Sequence, residues 1–146
     1  MVMLKDNVEK TGDRVKKTGS SQKVFDNEML VYKKRLSYTP KLISHDHEKR
    51  DFVISYECCV PLTKVPKRER EFYYPQIKKL FYRLKKDTGF YHADFAPKNI
   101  IVNTKTKKVK LIDFGMLAKD FEEVSKVRRS RNEINNLLND VGISRR

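Results

Sequence analysis

The sequence predicts an α+β fold. Three observations predict it: short apolar runs of strand length bounded by polar turns, longer segments with apolar residues at helical spacing, and an apolar hairpin whose open end carries acids and an amide. The first ten residues have room for at most one short strand pair. Arg14-Val15-Lys16-Lys17 reads as a short strand. Residues 24–36 carry Phe25, Met29, Tyr32 and Leu36 on one helical face. Glu28 lies three residues from Phe25 and four from Tyr32, so it sits on that apolar face. A carboxylate there needs a partner, because burying an unpaired charge is costly. Residues 40–43 and 51–56 read as two strands around a charged turn.

Residues 74–86 predict a helix. Pro75 suits its first turn. Ile77, Leu80, Phe81 and Leu84 form one stripe, Lys78, Lys79, Arg83, Lys85 and Lys86 cover the other side, and Thr88-Gly89 ends it. Ile100-Ile101-Val102 is a strand signal, 103–108 a polar turn, and 109–112 the returning strand. That hairpin places Asn99 and Asp113 at the same end. Gly115 then allows a chain reversal that a side chain would resist. Residues 121–140 read as one helix, with Val124, Val127, Ile134, Leu138 and Val141 roughly in line and Arg131 interrupting the stripe.

The polar groups around the hairpin have a recognisable order. His92-Ala93-Asp94-Phe95-Ala96-Pro97-Lys98-Asn99, followed by Asp113-Phe114-Gly115, resembles the catalytic loop and Asp-Phe-Gly motif of protein kinases and their atypical relatives. The His-Ala-Asp opening is closest to RIO-type and related small kinases, and some antibiotic phosphotransferases share such loops. The resemblance implies a strongly reduced protein-kinase-like fold of two lobes. Residues 1–146 would be one domain. Residues 1–57 would give a small mixed sheet with a helix and the hinge, and 58–146 a truncated helical lobe.

It also implies ATP and Mg2+. Magnesium takes oxygen ligands in octahedral geometry, and Asn99 and Asp113 supply them. Asp94 would orient the attacking hydroxyl and accept its proton. Phosphoryl transfer asks mainly for positioning and charge neutralisation, so few side chains suffice. His92 would brace the loop. In the family a strand lysine contacts the phosphates and pairs with a helix glutamate. If Val15 faces the nucleotide, Lys17 shares its face, with Lys16 the alternative. Glu28 is the matching glutamate. By the same resemblance Ile54 is the gatekeeper position, and the Ser55 carbonyl and Glu57 amide face the adenine.

The departures are instructive. No Gly-x-Gly-x-x-Gly occurs, and only Gly12 and Gly19 lie near the place for it. The chain after Gly115 shows no activation segment or Ala-Pro-Glu element. Ala96 stands two positions after Asp94, where serine/threonine kinases carry lysine.

Composition sets outer limits. The net charge of +14 favours acidic partners such as nucleotides, acidic proteins, nucleic acid or anionic surfaces. Nucleic acid is not favoured, because the basic runs at 64–70 and 126–131 read as solvated faces. Adjacent Cys58 and Cys59 exclude a disulfide framework and read as buried free thiols in a reducing compartment. His45-Asp46-His47 has no third metal ligand close in sequence. No apolar run spans a bilayer and no signal peptide is evident, so the expected location is the cytoplasm, with the nucleus open.

The expected function is an ATP- and magnesium-dependent phosphotransferase, a minimal serine/threonine protein kinase acting on its own or a partner's hydroxyl. The alternative is a pseudokinase, a nucleotide-binding module that regulates a partner protein. A third reading is a basic nucleic-acid-binding protein. The stripe on the last helix leaves oligomer formation open.

Overall fold

The computed structural model describes residues 2–5, 7–128 and 131–143. The fold is α+β with antiparallel sheets. The first half is a five-stranded sheet in the order β1-β2-β3-β5-β4, formed by β1 (Val2–Lys5), β2 (Val8–Thr11), β3 (Arg14–Lys17), β4 (Lys41–Asp46) and β5 (Asp51–Ser55). Every neighbouring pair is antiparallel, and β1 with β2 makes the short pair the first residues had room for. Strand alternation sends Val15, Leu42, Phe52 and Ile54 to the buried side.

Helix α1 (Gln22–Tyr32) covers that side. Ser21 caps it by accepting the Val24 N–H at 3.3 Å. Phe25 and Tyr32 pack on Phe52, with ring centroids 6.3 and 5.6 Å apart. The helix begins two residues before the expected start and stops at Tyr32 rather than Leu36. The cause is Arg35, whose φ of +53° takes the backbone out of the helix. The strand after it runs through Asp46, so His45 and Asp46 belong to β4 and not to a turn. No group of three His, Cys, Asp or Glu among the described residues is placed to hold a metal ion.

The second half is built around a longer helix. After β6 (Val60–Pro61) and the single turn α2 (Lys67–Arg70), α3 (Tyr74–Thr88) buries Ile77, Leu80, Phe81 and Leu84. Gly89 ends α3 with a φ of +85°, a conformation without penalty only for glycine. Phe81 is the hub, with Phe95 at 4.8 Å and Tyr91 at 5.1 Å. β7 (Tyr91–His92) pairs with β10 (Leu117–Ala118), while β8 (Ile100–Asn103) and β9 (Lys108–Leu111) form the expected hairpin beside β6. The halves are tied through Tyr38. Its carbonyl accepts the Leu111 N–H at 2.8 Å, and its hydroxyl donates to Asp87 Oδ2 at 2.8 Å. Burial and that bond push the Tyr38 phenol well up.

The single helix expected over 121–140 is two. α4 (Phe121–Arg128) and α5 (Asn132–Asp140) are separated by Arg131, which is extended at φ −135° and ψ 102°. Of the expected stripe, Val124, Ile134, Leu138 and Val141 are buried in the core of the chain and Val127 is partly buried against it. The two thiols also differ: Cys59 is buried, but Cys58 is exposed with its Sγ 3.3 Å from Asp13 Oδ2. No helix among the described residues is long and apolar enough to cross a membrane.

Candidate active site

A cavity of about 410 Å³ lies between the sheet and the hairpin. Val8, Lys10, Val15 and Lys17 line it from β2 and β3, Glu28 and Tyr32 from α1, and Asn99, Ile112 and Asp113 from the two ends of the hairpin. The alternation of β3 puts the two lysines on opposite faces. Val15 and Lys17 face the cavity, whereas Lys16 is exposed on the other side of the sheet.

Lys17 Nζ lies 3.0 Å from Glu28 Oε2 and 3.6 Å from Asp113 Oδ1. Glu28 is fully buried, and its other carboxylate oxygen accepts the Phe114 backbone N–H. Burial alone would lower the Lys17 ammonium, but the facing carboxylates of Glu28 and Asp113 outweigh it and hold it above its usual value. Burial pushes Glu28 up, with Lys17 opposing.

Asp113 follows β9 by two residues and has a φ of +63°, in the left-handed region that side chains resist. Its N–H reaches the Tyr32 hydroxyl at 3.3 Å. That hydroxyl is wholly buried, and burial pushes it well above the ordinary phenol value. The Ile112 N–H donates to the Asn99 carbonyl at 3.0 Å, which closes the open end of the hairpin. Two residues distant in sequence are thus neighbours. Gly115 is needed here for a reason other than chain reversal. A Cβ on it would stand 2.9 Å from Val24 Cγ1 of α1, while its carbonyl accepts Asn27 Nδ2 at 2.9 Å.

The loop holding Asp94 is braced from inside. The Asp94 N–H donates to His92 Nδ1 at 3.1 Å, so the ring proton is on Nε2, which donates to the Ile112 carbonyl at 2.8 Å. Burial lowers the His92 pKa and keeps the ring neutral. Asn99 Nδ2 donates to the Asp94 carbonyl at 2.8 Å and to Asp94 Oδ2 at 3.1 Å. The amide's nitrogen end is therefore committed to Asp94, and its oxygen is the end left for a cation.

Asp94 also meets two cations. Arg131 Nη1 is 3.3 Å from Oδ1 and Lys98 Nζ is 3.9 Å from Oδ2. Both cations reach Glu133 Oε1, at 3.7 Å from Lys98 and 3.9 Å from Arg131. Neither cation was among the site residues expected from the sequence. Lys98 could have been found from its place one residue before Asn99 and four after Asp94. Arg131 carries no local signal, since its contact is made in tertiary structure alone.

No family model matches the chain, and no curated protein matches it. Among solved structures, the chain is similar to the choline kinase LicA from Streptococcus pneumoniae, with a TM-score of 0.47 and 13% identity over 97% of this chain and 73% of that one.

Ser55 and Glu57 are not among the residues that line the cavity. The Glu57 N–H donates to the Ser55 hydroxyl at 3.3 Å, and the Glu57 carboxylate turns away to Lys110 Nζ at 2.8 Å. Glu57 and Cys58 both have positive φ, +49° and +64°, so the chain turns sharply at the expected hinge. The residue between Ser55 and Glu57, Tyr56, lines the cavity with Ile54 and Phe52. Burial raises the Tyr56 phenol to about 12. The parity that put Ile54 toward the cavity would also have found Tyr56.

Proposed function

We propose that the chain is a minimal protein-kinase-like phosphotransferase that uses ATP and magnesium to phosphorylate a serine or threonine hydroxyl. Residues 1–57 act as a reduced first lobe and hinge, 58–146 as a truncated second lobe, and the catalytic loop is nearest in sequence to those of RIO-type and related small kinases. The observation that carries this reading is the convergence of Lys17, Glu28, Asn99 and Asp113 on one cavity, with Asp94 hydrogen-bonded to Asn99 beside it.

The donor set fits the ion. Asp113 offers a carboxylate and Asn99 an amide oxygen, the hard ligands that magnesium takes. Bound there, the ion would offset charge on the phosphates. The rest is the chain's own work. Lys17, held by Glu28, binds phosphate oxygens. Val15, Ile54 and Tyr56 offer an apolar wall for the base. His92 holds the loop, and Asp94 orients the acceptor hydroxyl and takes its proton.

A thermal-shift series with ATP, with and without magnesium, tests binding, and labelled phosphate transfer tests chemistry. Asp94→Ala abolishes transfer while the melting temperature and the magnesium–ATP shift persist. Transfer surviving that change overturns the role of Asp94. One observation favours a second reading, a nucleotide-binding regulator. Both Asp94 carboxylate oxygens already have partners, so a hydroxyl must share its oxygen with Asn99 or Arg131. A magnesium-dependent ATP shift without any transfer selects that reading.

A further inference from the structure

We infer that the acceptor hydroxyl belongs to a protein segment rich in acidic side chains, seated on Lys98 and Arg131. The chemistry of the step rests on the phosphotransferase reading; the docking surface is separate from it. In the transfer, the acceptor Oγ bonds to the terminal phosphorus as the bond from that phosphorus to the ADP oxygen breaks, and the Oγ proton passes to Asp94.

Four side chains make a closed ring: Asp94, Lys98, Glu133 and Arg131. Lys98 comes from the short turn Pro97–Asn99, and Arg131 from the extended residue that separates α4 from α5. Within the ring the carboxylates are not equivalent. Asp94 is 13% exposed and tied down by Asn99, whereas Glu133 is 51% exposed and touches the cations at 3.7 and 3.9 Å, longer than a hydrogen bond. An ion pair that open is worth little. Glu133 is thus a loosely held carboxylate lying across two cations beside the group proposed to hold the acceptor hydroxyl. A flanking aspartate or glutamate of a substrate has the same chemistry and takes the same two cations when Glu133 swings out.

Charge argues the same way. A basic segment would meet Lys98 and Arg131, with Glu133 the exposed acid of the ring and Asp94 tied down beneath it. Lys64 is exposed and lines the same cavity as Lys98, which extends the positive border. The net charge of +14 steers an acidic chain toward the molecule at long range. The ring is open to solvent, with Lys98 42% and Arg131 39% exposed, so it suits an extended peptide better than an enclosed small molecule.

The test uses two fluorescent peptides, each with one serine, flanked in one by aspartate and glutamate and in the other by lysine and arginine. Anisotropy at low salt should show the acidic peptide binding about tenfold tighter, the scale expected of a few exposed charge pairs. Arg131→Glu should weaken it about fivefold, and Glu133→Gln should strengthen it about twofold. Lys49→Glu, the same charge change on the turn beyond β4, should weaken it less than twofold, which separates docking from overall charge. Equal binding of the two peptides overturns the inference, as does a Lys49→Glu loss equal to that of Arg131→Glu. If Arg131→Glu fails to fold by thermal melt, the sign of the Glu133→Gln change decides alone. Transfer separates the two claims. Magnesium-dependent ATP turnover without a preference for the acidic peptide sinks only the acceptor class. Arg131-dependent binding without any turnover sinks the phosphotransferase reading and leaves the surface standing.

Discussion

Replacing Lys17 by methionine isolates the most buried charge of the site. The substitution keeps an unbranched stem in the cavity wall and removes the ammonium 3.0 Å from Glu28. Glu28 is 0% exposed, so no water replaces the lost partner. Leaving one member of a buried pair typically costs about 3–5 kcal/mol. Glu28 has a cheaper escape, which is to bind a proton. Starting from an ordinary value of 4.5, protonation at pH 7 costs about 3 kcal/mol at about 1.4 kcal/mol per pH unit. That figure is the expected ceiling of the loss.

The escape fixes the pH dependence. Burial already raises the Glu28 carboxyl in the parent, and removing Lys17, which opposes that shift, raises it further. Its contribution is therefore fully present below 4.5 and is lost as pH climbs toward the folded value. The deficit relative to the parent should grow with pH once the parent's own Glu28, itself raised by burial, is ionised, by at most about 1.4 kcal/mol per pH unit. Urea midpoints at pH 5, 6 and 7, taken with unchanged m-values, measure it. The double change Lys17→Met with Glu28→Gln should recover most of the loss and abolish the slope. A deficit near zero, or one flat with pH, would refute the claim that Glu28 is held as a buried partner of Lys17.

Three further outcomes follow from the same geometry. Gly115→Ala should cost about 1–3 kcal/mol, because its Cβ meets the stiff Val24 side chain at 2.9 Å, and Val24→Ala should restore most of it in a thermal melt. His92 is neutral in the fold with its pKa lowered by burial, so its contribution is present above the unfolded value of 6.5 and is lost as pH falls below it. Denaturation at pH 7, 6 and 5 should show that slope, and a proton NMR titration should show no His92 shift near 6.5. Tyr56, raised to about 12 from 10 by burial, keeps its contribution below pH 10 and loses it as pH rises toward 12; Tyr56→Phe should flatten that alkaline loss when stability is followed by circular dichroism.

The elements with strong periodicity were legible in the sequence. The stripe from Ile77 to Leu84 gave α3, and the turn between two apolar runs gave the β8–β9 hairpin with Asn99 and Asp113 at one end. Alternation along β3 favoured Lys17 over Lys16, and the cavity contains Lys17. What was illegible depended on backbone or tertiary contacts. The break between α4 and α5 has no glycine or proline to announce it. Arg131 is extended there, and its guanidinium pairs with Asp94, far away in sequence. The turn at Glu57 and Cys58 was hidden for a similar reason, since positive φ at residues with side chains has no compositional mark. The need for Gly115 was visible but its cause was not, because the obstacle is a valine on another helix.

The left-handed posture of Asp113 has an energetic corollary. Tyr32 grips its amide and Glu28 grips the next one, so the backbone that carries the carboxylate is fixed during folding. Whatever cationic ligand arrives finds that backbone already in place. Little backbone ordering remains to be done at the encounter, so less of the binding free energy is spent on it.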